Sequence, residues 1–281
     1  MSIARLRSAY HREICRQILF VKKGAPNIAD VSSKASVAIS LEMVKRLNQD
    51  LARKAPPGQT AGARFEVITR DFLEASFRLL HHLRPGKWVF SVARSIAEFE
   101  QYEHLANLER MLHENPELRT ALGGDYLVTP DIVVGRHPVT DEEINRLTTV
   151  VGGPQPFCQF APLRAANRPP SCRILHASIS CKWTIRSDRA QNVRTEALNL
   201  IRNRKGQTPH VGVVTAEPLP TRLASLALGT GDLDCVYHFA LPELGEAVET
   251  VGNEDQLEML QEMINGRRVR DISDLPLDLA I

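Results

Sequence analysis

Three residues far apart in the chain, Asp131, Lys182 and Glu196, are of the types that phosphodiester hydrolysis requires. Carboxylates can hold Mg2+, and a cation can steady an attacking water and the crowded, charged phosphorus centre. Asp131 follows Pro130 inside the apolar run YLVTPDIVV, where a carboxylate is costly unless it is paired or binds a metal. Lys182 lies near the end of RILHASISCKW, where strand alternation puts Ser178, Ser180 and Lys182 on one face and Ala177, Ile179, Cys181 and Trp183 on the other. Glu196 lies in RAQNVRTEALNLI, whose helical spacing buries Val193, Ala197, Leu200 and Ile201 and leaves the glutamate beside that stripe. Taken singly, each has a plain structural alternative: a turn aspartate, a lysine snorkelling at a strand end, a solvated glutamate. Together they form a set suited to metal-assisted hydrolysis.

Between Lys182 and Glu196 the chain crowds Arg186, Asp188 and Arg189 into IRSDR. An arginine can donate two hydrogen bonds to guanine O6 and N7, and an aspartate can accept from the cytosine N4 amino group. Two arginines flanking one aspartate therefore suit adjacent G·C pairs. Each bidentate pair discriminates by about 1–3 kcal/mol, so a symmetric dimer presenting four such arginines would gain most of the selectivity a specific site needs.

The elements that must position these groups begin with helices. Helical periodicity covers about 2–20, 38–54, 60–83 and 96–114, and the third carries Phe65, Ile68, Phe72, Ala75 and Leu79 as one apolar stripe. Strand-like runs follow at 88–93, 126–134, 173–183, 210–216 and 234–241, with helices near 189–204, 219–227, 242–250 and 255–264. This order predicts an α/β (α+β) fold with a central mixed sheet flanked by helices. We expect a single domain over 1–281, with an N-terminal helical part at about 1–85, a catalytic sheet core at about 86–241 and a C-terminal helical part at about 242–281. The segment 150–171 has no evident element, and loops this long tend to be functional or to meet partners.

Composition sets outer limits. Lys and Arg total 35 against 33 Asp and Glu, a formal +2, which is not the footprint of a nonspecific polyanion binder but allows a locally basic cleft. The 5 cysteines are scattered without C-x-x-C, so a zinc site or disulfide framework is not expected and a reducing cytoplasm is. No apolar stretch is long enough to span a membrane. The pair His81-His82 lacks ligand spacing, and the glycine-rich GGD and LGTG lack the context of a nucleotide loop.

Pro130-Asp131 followed by Lys182 resembles the PD-(D/E)XK nuclease superfamily. Most members carry an acid two residues before the lysine, where this chain has Ser180. A subset of restriction endonucleases that cut within CCGG-type sites has the same displacement, its acid coming from the following helix, where Glu196 stands. The resemblance to that type II group, and within it to cutters of GCCGGC, runs over nearly the full chain. It includes HASISCKWTIRSDRAQN, ENPEL, NRKG, VVTAEP, DCVYHFAL and DISDLPLDLA.

That resemblance implies a restriction-endonuclease-like fold in which Asp131 and Glu196 bind the metal, with the Cys181 backbone carbonyl as a further ligand and Lys182 as the catalytic lysine. Glu66, in ARFEV, would support the site through the metal's water shell; its alternative is a salt-bridge partner on its helix. Arg186, Asp188 and Arg189 would read the inner CCGG pairs, Asp30 and Arg222 the outer G·C pair in the major groove, and Gln59 the minor groove. The resemblance further implies two Mg2+ per active site and cleavage as G^CCGGC, with 5′-phosphate ends and four-base 5′ overhangs. The partners implied are double-stranded DNA, a homotetramer built as a dimer of dimers using the 150–171 segment, and a companion cytosine methyltransferase that forms no stable complex. The setting is a bacterial cytoplasm, with no membrane partner. A DNA-binding protein that does not cut would have no need of the Asp131–Lys182–Glu196 set. An enzyme nicking or resolving branched DNA would have no need of guanine readers.

Overall fold

The computed structural model describes residues 1–54, 58–122, 128–153, 157–166, 172–229 and 231–281; the side chains of residues 58, 59, 109, 119, 121, 122 and 187–189 also lie outside the described set. Helix α1 (Ile3–Gln17) begins where the Ser2 side chain accepts from the Arg5 amide, and a short hairpin of β1 (Val21–Lys22) and β2 (Ala25–Pro26) follows. Helix α2 (Lys34–Leu47) is capped by Ser33 and stops at Asn48, whose left-handed backbone ends the helical run. Helix α3 (Gly58–Leu79) buries Phe65, Phe72 and Phe77 and leads into β3 (Trp88–Val92).

The helix expected over 96–114 is shorter. Two single 3-10 turns, Ile96–Glu98 and Glu100–Tyr102, precede α4 (Glu103–Glu114), and α5 (Pro116–Leu122) follows. Strand β4 (Ile132–Arg136) starts later than its apolar run, so Asp131 stands at its mouth rather than inside it. Beyond α6 (Asp141–Ile144) come β5 (Ile174–Lys182), α7 (Ser187–Asn203), β6 (His210–Thr215), α8 (Pro220–Ala227), β7 (Cys235–His238), α9 (Leu241–Val251), α10 (Glu254–Asn265), β8 (Val269–Asp271) and α11 (Leu275–Asp278).

The strands form one mixed sheet in the order β3-β4-β5-β6-β7-β8. β4 runs antiparallel to both of its neighbours, β3 and β5, while β5 through β8 pair in parallel, each parallel step crossing through helix. The mixed α/β architecture read from the sequence is the one found. The last strand is a correction, because β8 lies in the segment expected to be helical only. Three residues are too few for alternation to register, and only pairing with β7 makes them a strand.

Buried side chains from Leu6 to Leu279 form one continuous core. Arg7 fastens the two ends of the chain: its guanidinium donates to Asp271 at 2.8 Å and to Glu243 at 2.6 and 2.9 Å. The segment without an evident element is also tied down. Arg164 pairs with Asp141 at 2.6 Å, and Val139 exchanges backbone hydrogen bonds with Leu163 and Ala165. No helix among the described residues is long and apolar enough to cross a membrane.

Candidate active site

The antiparallel register of β4 and β5 pairs Ile132 with Ile179, so Asp131, one residue before β4, comes opposite the last turns of pleat in β5. There its Oδ2 accepts from the Cys181 amide at 2.7 Å and from the Lys182 ammonium at 2.7 Å. The alternation expected of β5 holds. The Cys181 thiol meets Thr69 of α3, and the Trp183 ring packs edge-on against Phe65 with centroids 5.1 Å apart. That packing seats α3 on the sheet and brings the next residue, Glu66, close enough for the charges of Asp131 and Lys182 to act on it.

Glu196 reaches the same place from α7. Its helix buries Ala190, Val193, Ala197 and Leu200, leaving Glu196 half-buried at the margin of that stripe. The Ser180 hydroxyl donates to Glu196 Oε2 at 3.5 Å, so the helix-borne carboxylate hangs over the strand position that holds serine. The four groups read from distant parts of the sequence thus gather around Lys182, and Lys182 and Glu196 line a cleft of about 470 Å³ whose wall also includes Phe20, Asn27, Thr184 and Asn192.

Burial pushes the Glu196 carboxyl above the ordinary glutamate range; Lys182 pulls it down while Asp131 adds to the rise. Burial and then Asp131 raise Glu66 in the same way, against Lys182. Burial disfavours the Lys182 ammonium, yet Asp131, by charge and hydrogen bond, and then Glu196 outweigh it. The lysine therefore holds its proton more firmly than usual and is a cation and donor here, not a base.

Three carboxylates around one lysine leave excess negative charge in a partly buried site, which is the electrostatic condition a divalent cation relieves. Among the described residues no three His, Cys, Asp or Glu side chains stand close enough to enclose a metal by themselves. Hard oxygen donors that leave most of the coordination sphere to backbone, water and phosphate suit Mg2+, which keeps several waters and dehydrates reluctantly. The donor set fits that ion.

A second cleft, of about 790 Å³, opens beside the first and shares Asn27 and Thr184 with it. Arg186 enters it exposed, from the residue that precedes α7 and has extended backbone. Arg222 of α8 donates to Asp30 from the loop before α2, so two residues separated by most of the chain form an ion pair in this cleft. Asp30 also accepts from the Ser32 hydroxyl at 2.6 Å and the Ser32 amide at 3.0 Å. These bonds and then Arg222 hold its carboxyl down at about 2. Asp188 and Arg189 fall in the first turn of α7 and Gln59 in the first turn of α3, but their side chains lie outside the described residues. The sequence reading missed Glu217, a buried carboxylate after β6 whose Oε2 accepts from the Ile185 amide at 2.9 Å. Its signal was available: an acid ending an apolar strand and followed by proline, the mirror of Pro130-Asp131.

The family model described as NgoMIV restriction enzyme matches residues 10–281. The type II restriction enzyme NgoMIV of Neisseria gonorrhoeae is 49% identical over 264 residues, which is 92% of this chain and 91% of the relative. Among solved structures, a complex of restriction endonuclease PspGI with substrate DNA aligns over 79% of this chain and 60% of that chain, at 14% identity and a TM-score of 0.37.

Proposed function

The chain belongs to the NgoMIV restriction enzyme family and is a type II restriction enzyme, and on that premise we propose that it cuts duplex DNA at a CCGG-centred palindrome, GCCGGC, in a Mg2+-dependent reaction. The observation that carries this reading is the grouping of Asp131 and Glu196 around Lys182, which with Glu196 lines one cleft, beside a second cleft holding Arg186, Arg222 and Asp30.

Asp131, Glu196 and the Cys181 carbonyl would hold Mg2+, two ions per active site, with Glu66 acting through water. When bound, Mg2+ would supply a Lewis acid for the phosphate and a more acidic water. Lys182, firmly protonated, would hold charge against the phosphate during in-line attack. A water would form the new P–O bond as the bond to the 3′ oxygen breaks; the water gives up one proton to solvent and the 3′ oxygen takes one from solvent, leaving a 3′-hydroxyl and a 5′-phosphate. Asp131 keeps the lysine in place, and the Cys181 amide fixes the carboxylate. Cutting before the first C, as G^CCGGC, gives four-base 5′ overhangs.

Arg186, Asp188 and Arg189 would read the inner pairs, Arg222 and Asp30 the outer pair, and Gln59 the minor groove. The whole chain acts as one domain in this reading. Exposed Leu147, Val150, Phe157 and Phe160 support assembly of dimers into a tetramer, since apolar side chains gathered on one segment favour a protein partner. A methyltransferase of the same bacterial cytoplasm would protect host sites without forming a stable complex. Incubation with Mg2+ and a plasmid carrying two GCCGGC sites tests the reading: discrete fragments ending in the stated overhang are expected, and specific binding without fragments would refute it.

A further inference from the structure

The Glu217 carboxylate has no exposed surface, so it can touch neither phosphate nor base. It sits where three segments converge. Oε2 accepts from the amide of Ile185, the residue immediately before Arg186. Oε1 accepts from the amide of Leu219 at 3.2 Å, at the entry to α8, and lies 4.0 Å from Nη1 of Arg222 on that helix. The Glu217 amide in turn donates to the Thr215 hydroxyl at 3.2 Å, which anchors the acid to the end of β6. One side chain therefore joins the loop that delivers Arg186 to the helix that delivers Arg222, which in turn holds Asp30.

We propose that Glu217 is a specificity-determining positioning residue that sets the distance between Arg186 and the Arg222–Asp30 pair. The proposal rests on the reading of those three residues as base readers. Two bidentate arginines reach neighbouring base pairs only if their backbones stand at the correct separation, so the rigid part between them decides whether both can engage at once. A carboxylate suits the position because both oxygens accept and its charge draws Arg222 inward. A glutamine keeps the shape but has a single acceptor oxygen. One of the two amides then faces an NH2 group, and the attraction for Arg222 is lost. Burial pushes the carboxyl up to about 7, while the Ile185 and Leu219 amides and then Arg222 pull toward the charged form that the position uses.

The test compares single-turnover cleavage, with Mg2+, of a duplex carrying GCCGGC and one carrying ACCGGT, for the wild type and Glu217→Gln. The expected result is that the GCCGGC:ACCGGT rate ratio falls by about tenfold, the scale of one lost buried hydrogen bond, while GCCGGC is still cut. In an Arg222→Ala background the same substitution should change the ratio no further. A ratio unchanged in Glu217→Gln, or equal slowing on both duplexes, overturns the proposal and leaves Glu217 a scaffold residue. A wild type indifferent to the outer pair overturns the base-reader assignment itself, and the proposal with it. If circular dichroism shows Glu217→Gln unfolded, Glu217→Asp, charged but one methylene shorter, takes its place. A fall in the ratio is again expected, and an unchanged ratio again overturns the proposal.

Discussion

The Lys182 ammonium stands 2.7 Å from Oδ2 of Asp131, across the ends of two antiparallel strands. The same oxygen is held by the Cys181 amide, a backbone donor whose position does not depend on the lysine. The carboxylate is thus placed by the sheet, and the lysine is placed by the carboxylate. Removing the lysine should leave the acid oriented, whereas removing the acid should release the lysine.

That asymmetry makes Lys182→Ala a clean substitution. Cleavage of a GCCGGC duplex should fall by about 100- to 1,000-fold, the loss typical when one charge-stabilising group is deleted. Sequence-specific binding measured by gel shift in Ca2+ should persist. Unchanged cleavage would remove the lysine from its role.

The raised proton affinities of Glu196 and Glu66 set the sign of the pH dependence. In the proposed site protons would compete with Mg2+ and its water shell for these carboxylates, so cleavage should rise with pH through a range above the ordinary glutamate value. More Mg2+ should move the midpoint of that rise to lower pH. A midpoint that ignores the Mg2+ concentration would assign the titration to other groups.

Arg222→Ala should relax selection at the outer base pair alone, by about 1–3 kcal/mol in the rate ratio of outer-pair variants. Discrimination at the inner four base pairs should be retained. Competition cleavage of a mixed set of duplexes reads both in one experiment, and equal loss at all positions would argue that Arg222 contacts only the backbone.

Glu217 also enters the stability of the fold. Its folded value of about 7 lies above that of an unfolded glutamate, so the native state holds a proton that the unfolded chain gives up. The resulting stabilisation is complete below the ordinary glutamate value and is lost as pH rises through about 7. The urea midpoint of the wild type should therefore fall between about pH 5 and about pH 8, and fall less in Glu217→Gln. Parallel decreases in the two proteins would exclude this carboxyl as the source.

Phe157 and Phe160 are 72% and 90% exposed on a segment that Arg164 fastens to Asp141. Replacing both with serine should shift a tetramer to dimers by sedimentation velocity and leave the thermal midpoint within about 2 °C, since neither ring is in the core. A tetramer that survives the double substitution would place the dimer–dimer contact elsewhere.

Much of this site could be read from one dimension because its strand is long. Nine residues of β5 give alternation room to register, so the faces of Lys182 and Trp183 follow from counting. Asp131 announces itself by standing beside proline in an apolar run, although β4 begins only after it. The pairing of Arg222 with Asp30 has no local signature, because residues 192 positions apart meet only through the packing of α8 near the loop before α2. For Glu217 the acid after an apolar run and before proline is a visible signal, but its partners are not, because they are backbone amides, which nearly every residue carries. The three residues of β8 become a strand by lying next to β7.

Asn27 and Thr184 belong to the walls of both clefts, so the chamber proposed to examine bases and the one proposed to break the backbone have a common partition. Under that reading, a mismatched base pair that displaced this partition would move the groups around the scissile phosphate by the same step. Errors would then be rejected in turnover as well as in affinity, because misplacing reacting atoms by about 1 Å can cost about 100-fold in rate even when the duplex stays bound. For an enzyme facing a genome of near-matches, fidelity of that kind survives high DNA concentration, where discrimination by binding alone saturates.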